Sequence, residues 1–299
     1  MKAKGYACAI VSAITYGLIP LFILPIKQIH FSLNVALFYR FSISALFLLI
    51  LLNYTKESLR INRSELMTFM VLGGLFAMSS DFLFLAYDYL SAGIASTILF
   101  VYPVIVALIM AIFFKERITF VTAISLIITL AGVYILSTKG SAFDINLTGI
   151  SIALSSALCY SLYIVKVNKS KVRASGVKTT FFSLLFSAMY YLLKSLLWKE
   201  SLLLPNVNLL LDIAIFGLLT SVISITTLVY AIRYIGSTPT AILGALEPVV
   251  AVLISVLLFH ELLTLQLIIG IICILAGVLI SIVFSGSKDS KEAKREVSL

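Results

Sequence analysis

Inside the long apolar runs of this chain, side chains able to do chemistry are few. The most conspicuous is the glutamate of LGALEPVVAVL, residues 243–253, where Glu247 precedes Pro248. An ionisable group held in hydrocarbon costs a few kcal/mol unless it is paired or wetted, so each one needs a reason to be there. Glu247 offers two chemistries: contact with a substrate amine, or a carboxyl that carries a proton. The alternative is a structural acid paired with a hydroxyl or amine on a neighbouring helix. Arg40 and Asp81 lie inside other apolar runs at similar depth. They are read either as a mutual ion pair or as substrate contacts, with the planar fork of Arg40 suited to a carboxylate. Phenolic hydroxyls at Tyr16, Tyr102, Tyr160 and Tyr163 also need partners.

Other chemistries lack their residues. HELLT from His260 is not HExxH, and His30 is the only other histidine. No GxSxG nucleophile elbow and no P-loop occurs. Cys8, Cys159 and Cys273 all fall in apolar runs, where thiols act as small hydrophobic groups, and they suggest neither a disulfide framework nor a metal cluster. No cofactor is called for.

The elements that position these residues follow from the solvent. Of 299 residues 61% are hydrophobic and 12% charged, and the mean hydropathy is +1.14. This is an all-α polytopic membrane protein, because helices satisfy every backbone group within the segment and no period-2 alternation supports a barrel. Ten spans are expected: 5–26, 33–54, 65–89, 92–114, 118–137, 147–167, 177–198, 209–234, 237–259 and 263–284. Glu247 then lies about 15 Å from one end of its span and about 18 Å from the other, near the bilayer midplane. Pro103 and Pro248 remove a backbone donor and are expected to bend spans four and nine near Leu99 and Gly244, as hinges or site-lining kinks. Glu116 and Glu261 stand at helix ends, where capping or salt bridging is expected.

Of the 22 basic residues, seventeen fall on the side of the N-terminus, four on the other, and Arg40 within a span. Such a bias places both termini in the cytoplasm and explains the formal net charge of +9 through anionic headgroups, with no need for nucleic acid. Residues 286–299 read as a disordered cytoplasmic tail.

An internal repeat turns the spans into an architecture. AYDYLSAGIASTILFVYPVIVALIMAIFFKERIT from Ala86 aligns without a gap on AIRYIGSTPTAILGALEPVVAVLISVLLFHELLT from Ala231, a shift of 145. Pro103 meets Pro248, Glu116 meets Glu261, Tyr102 meets Glu247, and LAGV recurs at Leu130 and Leu275. GYACAIVSAITY from Gly5 matches GISIALSSALCY from Gly149 at a shift of 144. The chain divides into 1–142 and 143–285, five spans each. Because five is odd, the halves are inverted, a plan that puts the site near the midplane between repeats. Small-residue stripes at 125–132 and 270–277 permit close helix approach, within the monomer or in a homodimer.

The five-plus-five plan, YPVIVALIMAIFFKERIT, EPVVAVLISVLLFHELLT and the repeated LAGV resemble the EamA family of the drug/metabolite transporter superfamily. That resemblance implies a secondary carrier, often an exporter of amino acids or other metabolites in bacterial inner membranes, with ten helices and cytoplasmic termini. His260 departs from it where the family more often has glycine, which bears on the local turn only. The rival readings are an antiporter of phosphorylated metabolites or nucleotide sugars, for which one buried Arg is few cations, and a membrane receptor or scaffold.

Overall fold

The computed structural model describes residues 2–29, 31–90, 95, 98–137, 146–170, 172, 174–258 and 264–296. Among them there are helices and turns and no strand. The helices are α1 (Lys2–Tyr16), α2 (Ile19–Gln28), α3 (Leu33–Tyr54), α4 (Arg63–Ala86), α5 (Tyr102–Phe114), α6 (Phe120–Ser137), α7 (Leu147–Lys169), α8 (Gly176–Leu197) and α9 (Val207–Gly217). A π-helical turn, Leu218–Ile223, leads into α10 (Ser224–Ile235), followed by α11 (Ser237–Gly244), α12 (Leu246–Leu258) and α13 (Leu265–Glu296). Among the described residues seven segments are long and apolar enough to cross a membrane, and 102–114, 120–135 and 268–283 are shorter apolar helices. Leu46, Ile50, Ile112, Phe113, Leu193 and Leu257 stand exposed on these helices. A surface of that kind is suited to lipid.

Short polar residues set the starts. Ser32, Asn146, Ser175 and Asn206 each accept a backbone N–H of the first helical turn. Asn62 and Glu65 form a reciprocal capping box. Gly236 ends α10 at φ +86°, a left-handed conformation that glycine adopts without steric cost.

Three expected spans differ in detail. Span one is divided at Gly17 and Leu18 into α1 and α2, since Pro20 brings no N–H to continue the first helix. Spans four and nine are interrupted next to the expected Leu99 and Gly244, but by a break and not a bend. The breaks fall at residues 100–101 and at Ala245, and new helices start with Pro103 and Pro248 in their first turns, where a missing N–H is harmless. The helix α13 continues to Glu296, into the segment read as a tail, because KDSKEAKRE is rich in helix-favouring Lys, Glu, Ala and Arg.

Packing contacts recur at the spacing of the sequence repeat. Ser12 and Ser224 join α1 to α10, hydroxyls 3.3 Å apart, with Ser224 donating to the Ser12 carbonyl at 3.1 Å. Ser156 and Ser79 join α7 to α4 in the same way, at 3.3 and 3.1 Å. Gly5 rests on Tyr234 and Ile235, and Gly149 rests on Tyr89 and Leu90. Gly132 of α6 meets Gly270 and Ile274 of α13, while Gly277 meets Ser125 and Thr129. The two small-residue stripes therefore meet each other within one chain. Their approach is tight enough for Ser125 to donate to the Gly277 carbonyl at 2.7 Å.

Candidate functional site

The two helix breaks meet at the centre of the bundle. Glu247, 7% exposed, sits in the first turn of α12, where a carboxylate complements the helix dipole. Tyr102, 1% exposed, opens α5 at the equivalent place. Both side chains converge over Gly244: a Cβ added there would strike the Tyr102 hydroxyl and lie 3.5 Å from Glu247 Oε1. The backbone crossings also match. Gly17 lies against the Glu247 carbonyl, whereas its counterpart Ser161 donates to the Tyr102 carbonyl at 3.1 Å.

Around this pair stand the rings of Tyr16 and Tyr160, also counterparts in the repeat. They stack with centroids 6.3 Å apart and planes at 13°. Tyr102 meets Tyr160 edge-on at 4.8 Å, and Tyr160 lies parallel to Tyr163 at 6.3 Å. The hydroxyls of Tyr102 and Tyr160 are within electrostatic reach of Glu247, and that of Tyr16 is within reach of both Glu247 and Arg40. The alignment of GYACAIVSAITY on GISIALSSALCY ends on Tyr16 and Tyr160. That register is the sequence signal for the ring pair.

Arg40, 2% exposed, is held by the π-helical turn. Its Nε donates to Ser221 Oγ at 2.8 Å and Nη2 to the Thr220 carbonyl at 3.2 Å. A π turn pairs i with i+5 and so redirects carbonyls that an α-helix would consume. The guanidinium carbon lies 4.2 Å from the Phe216 ring centroid and 5.1 Å from that of Phe41. Arg40 has no carboxylate partner among the described residues.

The expected Arg40–Asp81 ion pair is not formed. Asp81 faces α8 instead, where it pairs with Lys194 and accepts a hydrogen bond from Tyr190 at 3.0 Å. Arg40 faces the opposite neighbour, α9 and its π turn, so equal depth did not imply a shared face. The salt bridge expected at Glu116 is absent among the described residues. Lys115 closes α5 in a left-handed conformation, and beyond it the Glu116 carboxylate accepts from Thr238 at 3.4 Å. Glu261 and His260 lie outside the described residues.

Comparison with known proteins agrees with this architecture. The EamA-like transporter family matches residues 3–138 and again 147–283. The uncharacterized transporter YvbV of Bacillus subtilis (strain 168) is 28% identical over 69% of this chain and 67% of its own length. YyaM of the same organism, also an uncharacterized transporter, is 26% identical over 84% of each chain. A crystal structure of a protein 18% identical in sequence shares the fold with a TM-score of 0.82, over 95% of this chain and 99% of that one. This multi-pass membrane protein belongs to the EamA-like transporter family.

Proposed function

We propose that the chain is a secondary, ATP-independent carrier that exports amino acids or similar small metabolites across a bacterial inner membrane. Ten spans in two inverted five-helix repeats rock about the tyrosine cluster, with both termini in the cytoplasm. The recurrence of the serine pairs, the glycine contacts and the Tyr16–Tyr160 stack at a shift of 144–145 supports the inverted plan. One observation carries the substrate reading: at the two places where a buried charge enters the central region, the repeat counterpart is neutral. Glu247 stands where the first half has Tyr102. Arg40, whose neighbour Ser44 packs at Gly217 as Ser187 packs at Gly73, stands where the second half has Ser183.

A zwitterion answers both charges. Its ammonium suits Glu247 and the tyrosine faces, and its carboxylate suits the fork of Arg40. Alternating access between repeats supplies the pathway without a nucleotide.

The test is uptake and efflux by protein reconstituted in liposomes across a panel of amino acids and metabolites, with an imposed pH gradient in one arm. Glu247→Gln is expected to lower transport of the preferred substrate at least tenfold while leaving the fold intact. Wild-type rates in that variant would remove Glu247 from the mechanism.

A further inference from the structure

A second polar recess lies apart from the tyrosine cluster, at the end of the bundle where the α7–α8 loop meets the turn between α10 and α11. It is an open cavity of about 330 Å³ whose polar side chains, among the described residues, are Asn168, Ser170 and Arg233, and none of the described lining residues is acidic. Gly236 forms part of the wall. Its left-handed backbone leaves that side open, with Asn168 Nδ2 the nearest atom, 3.7 Å from where a Cβ would stand.

Arg233 is oriented by neutral acceptors and forms no direct ion pair among the described residues. Its Nη1 donates to the Ala174 carbonyl and its Nη2 to Thr179 Oγ1 at 2.7 Å, both uncharged acceptors. The nearby acid, Glu57, lies outside the cavity lining and accepts from Ser175 at 2.7 Å, so it offsets the guanidinium charge from a distance without contacting it. Lys166 and Lys169 are exposed in the last turn of α7, with Lys169 over the Phe114 ring at 4.7 Å. A fixed guanidinium, a carboxamide and a hydroxyl around one roomy cavity, with no carboxylate among its described lining residues, favour an oxyanion with several acceptor oxygens.

We propose that this recess is a phosphate-binding site, in which Arg233 supplies the charge and Asn168 and Ser170 the neutral donors. The phosphate belongs either to the headgroup of an anionic phospholipid or to a free phosphorylated solute. The chemistry at the site is the same for both.

The test uses full-length detergent-purified protein. Native mass spectrometry after exposure to phosphatidylglycerol or phosphatidylcholine measures lipid retention. Thermal unfolding in inorganic phosphate against chloride at matched ionic strength measures the free anion. Arg233→Gln and Asn168→Leu are run beside wild type. The expected result is about tenfold preference for phosphatidylglycerol, or a rise in Tm in phosphate, reduced about tenfold or abolished in both variants, the scale of one charge-assisted hydrogen bond. Phosphatidylglycerol retention that phosphate does not displace identifies a lipid, and stabilisation by phosphate alone identifies a solute. Because Arg233 also ties down the α7–α8 loop, Asn168→Leu decides should Arg233→Gln fail to fold. No preference for either anion, or a preference that survives both substitutions, overturns the proposal.

Discussion

At the scale of single residues, Gly244 has the most sharply defined task. Its missing Cβ is the space that the Tyr102 hydroxyl occupies beside Glu247. Gly244→Ala is therefore expected to displace the Tyr102 ring, destabilise the protein by about 1–3 kcal/mol through overpacking, and cut transport in liposomes. Gly74→Ala is the control, since a Cβ there meets nothing within 4 Å: its transport should match wild type and its Tm should equal or slightly exceed it, as Ala favours a helix interior over Gly. Glu247 was legible from sequence because a carboxyl at the middle of an apolar run is costly wherever the helix faces. The partners of Arg40 and Asp81 were not legible. Depth along a helix follows from residue count, but the direction each side chain faces depends on how neighbouring helices are rotated, and here that rotation gave Asp81 to Lys194 and Arg40 to Ser221.

At the scale of elements, the π turn determines how Arg40 is held. Ser221→Ala leaves Nε without a buried acceptor, and a cost of about 1.5–3 kcal/mol is expected in the unfolding free energy. Chemical denaturation in detergent measures it, and Ser221→Thr, which keeps a hydroxyl, should recover most of the loss. Nothing in LLTSVI announces a π turn, since its residues serve equally well in a regular helix. The proline positions were visible in the sequence, but their effect was underestimated. Proline is tolerated in the first turn of a helix, so a chain free to interrupt itself places the residue there, and a new helix starts at each of the two prolines.

At the scale of the whole molecule, each end of the bundle is closed by different chemistry. At the end bearing the α3–α4 loop, Lys178 Nζ donates to the carbonyls of Ser58 at 2.6 Å and Arg60 at 2.7 Å, and Glu57 accepts from Ser175. At the other end Asn34 donates to Glu200 at 2.9 Å and Tyr39 to the Leu202 carbonyl at 2.8 Å. Lys178→Met removes the donor from two carbonyls at once. It is expected to lower stability by about 2–4 kcal/mol and to raise the labelling rate of a cysteine placed at Ser58. An unchanged labelling rate would show that Lys178 does not hold that end shut. The overall plan was readable because the repeat is written in small residues and prolines, whose positions survive where bulky apolar residues exchange freely. The closures were not readable, because they join residues more than a hundred positions apart, several of them through backbone carbonyls that any sequence would supply.

The two buried charges differ in sign, and this bears on membrane voltage. An elementary charge crossing the full potential exchanges about 2.3 kcal/mol per 100 mV. With Glu247 and Arg40 both ionised and carried the same way by a rocking motion, their electrical work cancels. An empty carrier built so returns at a rate insensitive to potential, and a zwitterion adds nothing to the sum. Voltage dependence would then enter only with a cargo that is itself charged, or with a proton bound at Glu247.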